Sequence, residues 1–312
     1  MPKAVVIGAT GHIGSYLVPE LVRAGYDLVA MSRGNRVPYT AHWTEWQSVE
    51  HVYCSREEGI AIAAGFKPDV ICDLVPYTAT DASALVNNLR AEGIADRVRL
   101  ISIGSIWIYD QKLEVPVTEE HPRTAKDDYG RGKIEIEQYL LNEHRKNGLR
   151  VTILHPGHIC GSGWMPVGPL GNRDPQVIRD IIAGRPILLP ERGQTTLHHV
   201  HSEDIARLTL ACLNNDRSIS ESFHSVCETA LTLFGFAEGA YRHFGQTPAE
   251  VFVPYSEFLK RIPKEHAADS AEHIDHSPMA SMAKAKALLG FTPKHSAMDT
   301  VLEAIDSIRD SL

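Results

Sequence analysis

Tyr129 and Lys133 stand four positions apart at the start of a segment, 129–146, whose composition favours a helix. Side chains at i and i+4 of a helix share a face, so this spacing brings a phenol and an ammonium together. A tyrosine with a pKa of about 10 is a weak base at pH 7, and lowering it by about three units takes roughly 4 kcal/mol. A neighbouring cation in a poorly solvated site supplies energy of that size. The pair can then pass a proton to or from an alcohol or carbonyl oxygen. The same spacing is common on solvated helix faces, where it has no chemistry, so its meaning depends on what surrounds it. Ser105 follows a strand-like run and places a small hydroxyl where a substrate oxygen would sit, with Ser102 as the competing hydroxyl. Gly8, Gly11 and Gly14 form a GxxGxxG turn between the apolar run Ala4–Ile7 and a helix-like run. Such a turn lets the backbone approach a pyrophosphate, which the N-terminus of the following helix attracts through its N–H groups and dipole. Its bland alternative is a tight loop that packs a helix closely on a sheet. Turn, serine and Tyr–Lys pair together point to hydride chemistry on a nicotinamide dinucleotide.

The elements that must hold these residues alternate along the first half. Strands are expected at 4–7, 28–31, 49–53, 70–74, 98–103 and 151–154, with helices at 13–24, 56–65, 80–92 and 129–146. Several of the strands are continuous apolar runs, as when helices cover both sheet faces. The expected fold class is therefore α/β: a doubly wound parallel sheet of Rossmann type with a smaller, mixed C-terminal lobe. Ligands of such sheets bind beyond the carboxyl ends of the strands. Residues 155–196 turn rich in Gly and Pro around one helix at 175–183. A strand at 197–200, a helix at 202–213 and a strand at 222–226 follow. The expected division is 1–154 plus 197–230 for the dinucleotide domain, and 155–196 plus 231–312 for a substrate-binding lobe.

At the end of the second strand the chain reads Met31-Ser32-Arg33-Gly34-Asn35-Arg36. An acidic residue there would accept the ribose hydroxyls of NAD. Arg33 and Arg36, helped by Ser32, instead suit a 2′-phosphate, so NADP is favoured over NAD. The formal net charge of −8 argues against general affinity for nucleic acid or anionic membrane. Five scattered cysteines without a CxxC read as reduced thiols, and no secretory leader or membrane-spanning run is expected, which implies the cytoplasm. The 16 histidines include a cluster at His198, His199 and His201, with His155 and His158 upstream, but lack zinc spacing, so no metal is expected. His158, just after Pro156-Gly157 at the sheet edge, is a candidate substrate contact.

In these motifs and their order the chain resembles extended short-chain dehydrogenases/reductases of the NAD-dependent epimerase/dehydratase family, over about residues 1–290. The resemblance implies that Ser105, Tyr129 and Lys133 are catalytic: Tyr129 as acid/base, Lys133 lowering its pKa and holding the nicotinamide ribose, Ser105 orienting the substrate oxygen. It implies a cofactor site of Gly8, Thr10, Gly11, His12, Ile13 and Gly14, then Ser32, Arg33 and Arg36, then Leu74 and Val75. Tyr129, Lys133, Pro156, Gly157 and His158 complete it. Substrate would meet Ser105, Trp107 and His158. Ile106-Trp107 stands where family dehydratases carry an acid pair, which removes 4,6-dehydration. Leu197 stands where nucleotide-sugar epimerases carry an arginine clamp, which favours a free sugar, a sugar derivative or a small carbonyl compound. Residues 177–187 also resemble an atypical subgroup that includes chloroplast RNA-binding relatives. The expected activity is an NAD(P)-dependent oxidoreductase or epimerase on a small, sugar-like molecule, working as a homodimer through 80–92 and 129–146. The alternative is an NADP-binding sensor or scaffold without turnover.

Overall fold

The protein was studied as a computed structural model, which describes residues 1–110, 112 and 114–312. Its strands are β1 (Lys3–Ile7), β2 (Asp27–Ser32), β3 (Glu50–Tyr53), β4 (Val70–Asp73), β5 (Arg99–Ile103), β6 (Arg150–Pro156) and β7 (His158–Cys160). They continue with β8 (Ile187–Pro190), β9 (Thr196–Leu197), β10 (His199–His201), β11 (Glu221–Ser225), β12 (Leu231–Thr232) and β13 (Glu250–Val253). The helices are α1 (His12–Arg23), α2 (Arg56–Ala63), α3 (Ala79–Ala91), α4 (Asp128–Asn147), α5 (Pro175–Ile182) and α6 (Ser202–Leu213). Then come α7 (Leu233–His243), α8 (Tyr255–Arg261), α9 (Lys264–His276), α10 (Ala283–Leu289) and α11 (Ala297–Ile308).

The chain divides into two units. The first comprises Met1–Pro156, Ser202–Ser225 and Met282–Thr292. Its seven strands form one parallel sheet in the order β11-β6-β5-β4-β1-β2-β3. Strand order reverses between β1 and β4, as a doubly wound sheet requires. Ala4, Val5 and Val6 of β1 are fully buried, because helices cover both faces of this central strand. The register pairs Ile7 with both Met31 and Asp73, Asp73 with Ser102, and Ile103 with Leu154. The carboxyl ends of five strands therefore lie level along one edge. The residues that follow four of them, Gly8, Arg33, Leu74 and Gly104, start the loops of the candidate site.

The second unit comprises Gly157–His201, Val226–Ser281 and Pro293–Leu312. It contains three two-stranded pairs, β7 with β10, β9 with β12 and β8 with β13. Leu189, Leu197, Phe236, Tyr241, Phe258 and Ile305 belong to its core. The sequence-based division differs here. The expected strand 197–200 is two strands, since β9 pairs antiparallel with β12 while β10 pairs parallel with β7. Those partners hold 197–201 in the second unit. The C-terminal segment also returns to the first unit through α10, where Lys284 Nζ meets Glu221 Oε2 of β11 at 2.7 Å. Among the described residues no helix is long and apolar enough to cross a membrane.

Candidate active site

The glycine turn joins β1 to α1 through closely packed backbone. Gly8 has φ +88°, a region that side chains rarely adopt, and its N–H and that of Ala9 both donate to Met31 O at 3.0 Å. A Cβ on Gly14 would lie 2.2 Å from the Ala9 carbonyl oxygen, so only glycine lets α1 start so close to β1. Helix α1 has Gly11 as its N-cap and no side chain accepting from its first turn. Negative charge is favoured at such a helix start. The turn and uncapped helix fit a dinucleotide's pyrophosphate. Val75 closes one side, its Cγ1 3.2 Å from where a Gly8 Cβ would be. The Val75 loop is tied by Asp73, whose carboxylate accepts from Val75 N at 3.3 Å and takes both guanidinium arms of Arg56 at 2.7 and 2.9 Å. At the end of β2, Arg33 and Arg36 are exposed and Ser32 Oγ accepts from Gly34 N at 3.3 Å.

Helix α4 carries the second half of the site. Asp127 caps its start by accepting from Gly130 N at 2.7 Å, and Gly148, at φ 75°, ends it behind His144, Arg145 and Lys146. A Cβ on Gly130 would fall 2.4 Å from Ala125 Cβ and 2.9 Å from Trp107 O. That clearance seats the first turn of α4 against the turn after β5, which carries Ser105. Ser105 Oγ accepts from Trp107 N at 3.1 Å and hydrogen-bonds the Tyr129 phenol. The structure thus brings Ser105 to Tyr129, whereas Ser102 is buried within β5. Burial pushes the Tyr129 phenol above its ordinary pKa, and the Ser105 hydrogen bond pulls it part of the way back. Because 52% of the residue's surface stays exposed, the upward push is local to the hydroxyl end.

Lys133 is buried, and its Nζ donates to Pro76 O at 2.7 Å and Ile103 O at 3.0 Å. Burial lowers its pKa to about 8, with Asp73 opposing that shift and Arg56 adding to it. The ammonium sits 5.6 Å from the centre of the Tyr129 ring. Trp107 is buried, and it contributes its backbone to the Ser105 turn. Pro156 ends β6 in the first unit. Gly157 and His158 open the second, where a Cβ on Gly157 would meet His198 O at 2.2 Å. His158 donates its N–H to His198 O at 2.8 Å, and burial holds its imidazole neutral, well below its usual pKa. Sequence reasoning singled out His155 among the histidines but missed the polar residues it joins behind Ser105: Glu137, Arg123 and Ser222. The available signal was Glu137, a carboxylate four residues beyond Lys133 on the buried face of α4.

A parallel sheet with a switch point, a phosphate cradle and a Ser–Tyr–Lys set defines a dinucleotide-dependent enzyme of the short-chain dehydrogenase/reductase type. The NAD dependent epimerase/dehydratase family profile matches residues 4–224, and the chain belongs to that family. It is similar to a UDP-glucose 4-epimerase of Lactobacillus helveticus, at 23% identity over 96% of this chain and 94% of that protein. It is also similar to the chloroplast stem-loop binding protein of 41 kDa b of Arabidopsis thaliana, at 24% identity over 97% of this chain and 78% of that one. Among solved structures, UDP-glucose 4-epimerase from Thermotoga maritima, crystallised with UDP-glucose, matches with a TM-score of 0.76 at 17% identity, covering 99% of both chains. UDP-glucuronic acid 4-epimerase from Bacillus cereus, in complex with NAD, matches with a TM-score of 0.73 at 18% identity, again over 99% of both.

Proposed function

We propose that the enzyme oxidises and reduces a hydroxyl-bearing carbon of a sugar-like substrate, with Tyr129 as its acid/base. The observation that carries this reading is the hydrogen bond between Ser105 and Tyr129 beside the Lys133 ammonium. Bound NAD or NADP would supply the hydride acceptor and donor. Tyr129 takes the proton from the substrate hydroxyl and returns it to the carbonyl oxygen. Ser105 donates a hydrogen bond to the phenolate or to the substrate oxygen, which holds that oxygen at the tyrosine. Lys133 keeps a positive charge below its pKa of about 8 and lowers the cost of the phenolate. The cradle from Gly8 to Gly14, with Thr10, His12 and Ile13, would hold the pyrophosphate, and Leu74 and Val75 would flank it.

Exposed Arg33 and Arg36, with no acidic residue from Met31 to Arg36, support NADP as the preferred form. The family and its NAD-bound neighbours make NAD the alternative. Leu197, buried in β9, supports a substrate held without the usual arginine clamp, and the resemblance supports a homodimer through α3 and α4. One experiment tests the catalytic reading. The protein is incubated with NAD⁺ or NADP⁺ and a panel of UDP-glucose, UDP-N-acetylglucosamine, free aldoses and small ketones, followed by proton NMR and NADPH fluorescence. Tyr129→Phe is expected to abolish conversion, by at least about a hundredfold, while leaving NADPH binding unchanged. Conversion retained in that variant would remove Tyr129 from the chemistry.

A further inference from the structure

Behind the Ser105 turn, within the first unit, lies a buried polar chain that touches none of the cradle. Ser105 N–H donates to His155 Nδ1 at 3.1 Å, and His155 Nε2 lies 3.1 Å from Glu137 Oε1. A backbone N–H can only donate, so Nδ1 carries the lone pair and Nε2 carries the proton that Glu137 accepts. Glu137 also accepts from Ser222 Oγ at 2.6 Å, and from Arg123 Nε and Nη2 at 3.0 and 2.8 Å. Burial pushes its carboxyl up, but His155 and Arg123 outweigh that and hold it far below the usual carboxylate range. The imidazole approaches the chain so closely that a Cβ at Gly104 would lie 2.3 Å from Nδ1.

From this geometry we propose that His155 and Glu137 are a positioning pair that sets where Ser105 stands relative to Tyr129. The proposal rests on the reading of Ser105 and Tyr129 as the proton-handling groups. Tyr129, Lys133 and Glu137 lie four residues apart on one face of α4, running from the half-exposed phenol to a fully enclosed carboxylate. Tyr129 is therefore located from Glu137 through two rigid helical turns. Ser105 is located from the same carboxylate through one imidazole. Both reacting partners share a single reference point, and each arm is made of strong, directional contacts. A buried ionic cluster is weak evidence for stability, since apolar residues of the same volume often do as well. A bond to the backbone of Ser105 itself, through a glycine that nothing larger can replace, is what fixes a position.

The test uses the full chain and two substitutions of one residue. His155→Asn keeps an acceptor near the place of Nδ1, and His155→Gln moves the amide out to the place of Nε2. In the unmodified protein, long-range nitrogen–proton correlation of labelled histidine is expected to show His155 protonated on Nε2 with Nδ1 accepting. Tyr129 ionisation, read from the ring carbon bearing the hydroxyl, should shift upward in His155→Gln, because Ser105 no longer supports the phenolate. It should shift less in His155→Asn, which keeps the acceptor for Ser105 N–H but loses the contact to Glu137, with Lys133, Tyr77 and Asp127 around the phenol unchanged in both. With whichever panel compound is converted, His155→Gln should lower kcat by up to about a hundredfold, the cost of misplacement by about an ångström. KM and NADPH affinity should hold within about twofold in both variants. A proton on Nδ1, or equal shifts and losses in the two variants, overturns the proposal. Failure of the catalytic reading shows separately, as conversion retained in Tyr129→Phe.

Discussion

In the first unit the buried imidazole of His155 rests against a carboxylate, whereas in the second those of His198 and His199 rest against backbone carbonyls. His198 Nε2 lies 2.8 Å from Cys227 O and its Nδ1 accepts from Ala280 N at 3.0 Å; His199 Nε2 lies 3.0 Å from Val167 O. Each ring is as deeply buried as His155. The partner decides the consequence. A carboxylate makes the cluster ionic and ties its stability to a deprotonated glutamate. A carbonyl leaves the ring neutral, and burial pulls the pKa of His198 and of His199 down to about 4. His155 in the first unit thus joins a charged cluster that holds a backbone in place, while His198 and His199 in the second serve as neutral polar packing. Each arrangement fails under different conditions.

The largest effect should come from Glu137→Ala, which strands Arg123 and the donors of His155 and Ser222 in a closed space. Losses of about 3–5 kcal/mol accompany removal of one partner from a buried ion pair. Denaturant unfolding measures it, and a loss below about 1 kcal/mol would mean the cluster is no more than filler. Next is acid. A neutral histidine whose folded pKa is depressed binds its proton first in the unfolded chain, so its contribution is complete above about 6.5 and drains away as pH falls towards the folded value. For His198 and His199 that window runs from about 6.5 to about 4, at roughly 3 kcal/mol per ring. Glu137 is also depressed, but its contribution is present above the ordinary carboxylate value of about 4.3 and is lost only below it. Amide protection factors in β7 and β10, taken against the intrinsic exchange rate at each pH, should therefore fall between pH 6.5 and 4.5 while those in β5 and β6 hold. Simultaneous loss would erase the contrast. The smallest effect is Gly104→Ala, where a methyl meets His155 Nδ1 and overpacking costs typically about 1–3 kcal/mol. Its melting point should fall more than that of Gly93→Ala, where no atom lies within 4 Å of the new methyl but the positive φ adds local strain.

The sheet was readable because its signals are local. Apolar runs such as Ala4–Ile7 and the amphipathic stretch around α4 announce themselves within a few residues. Ser105, Tyr129 and Lys133 were readable for the same reason, since each follows a strand or opens a helix. The Glu137 cluster was not, because it joins residues 18, 50 and 85 positions apart and no local pattern encodes such a meeting. The return of α10 to the first unit was hidden too, as seven residues of Ala, Lys and Leu carry no sign of what they pack against. The break between β9 and β10 falls at His198, a single residue whose importance lies in its distant partners, Cys227 and Ala280.

The glycine cradle also sets limits on engineering. Its interior has no spare room: a methyl at Gly14 runs into the backbone of Ala9, and one at Gly8 presses on Val75 in a conformation that suits glycine. Arg33, Asn35 and Arg36 are open to solvent, where substitutions displace little, although a Cβ at Gly34 would lie 2.8 Å from Tyr53 Cδ1. If that loop chooses the dinucleotide, as proposed, variation by selection or by design is channelled into its exposed positions, and the glycine turn is left as a fixed part that a redesigner inherits unchanged.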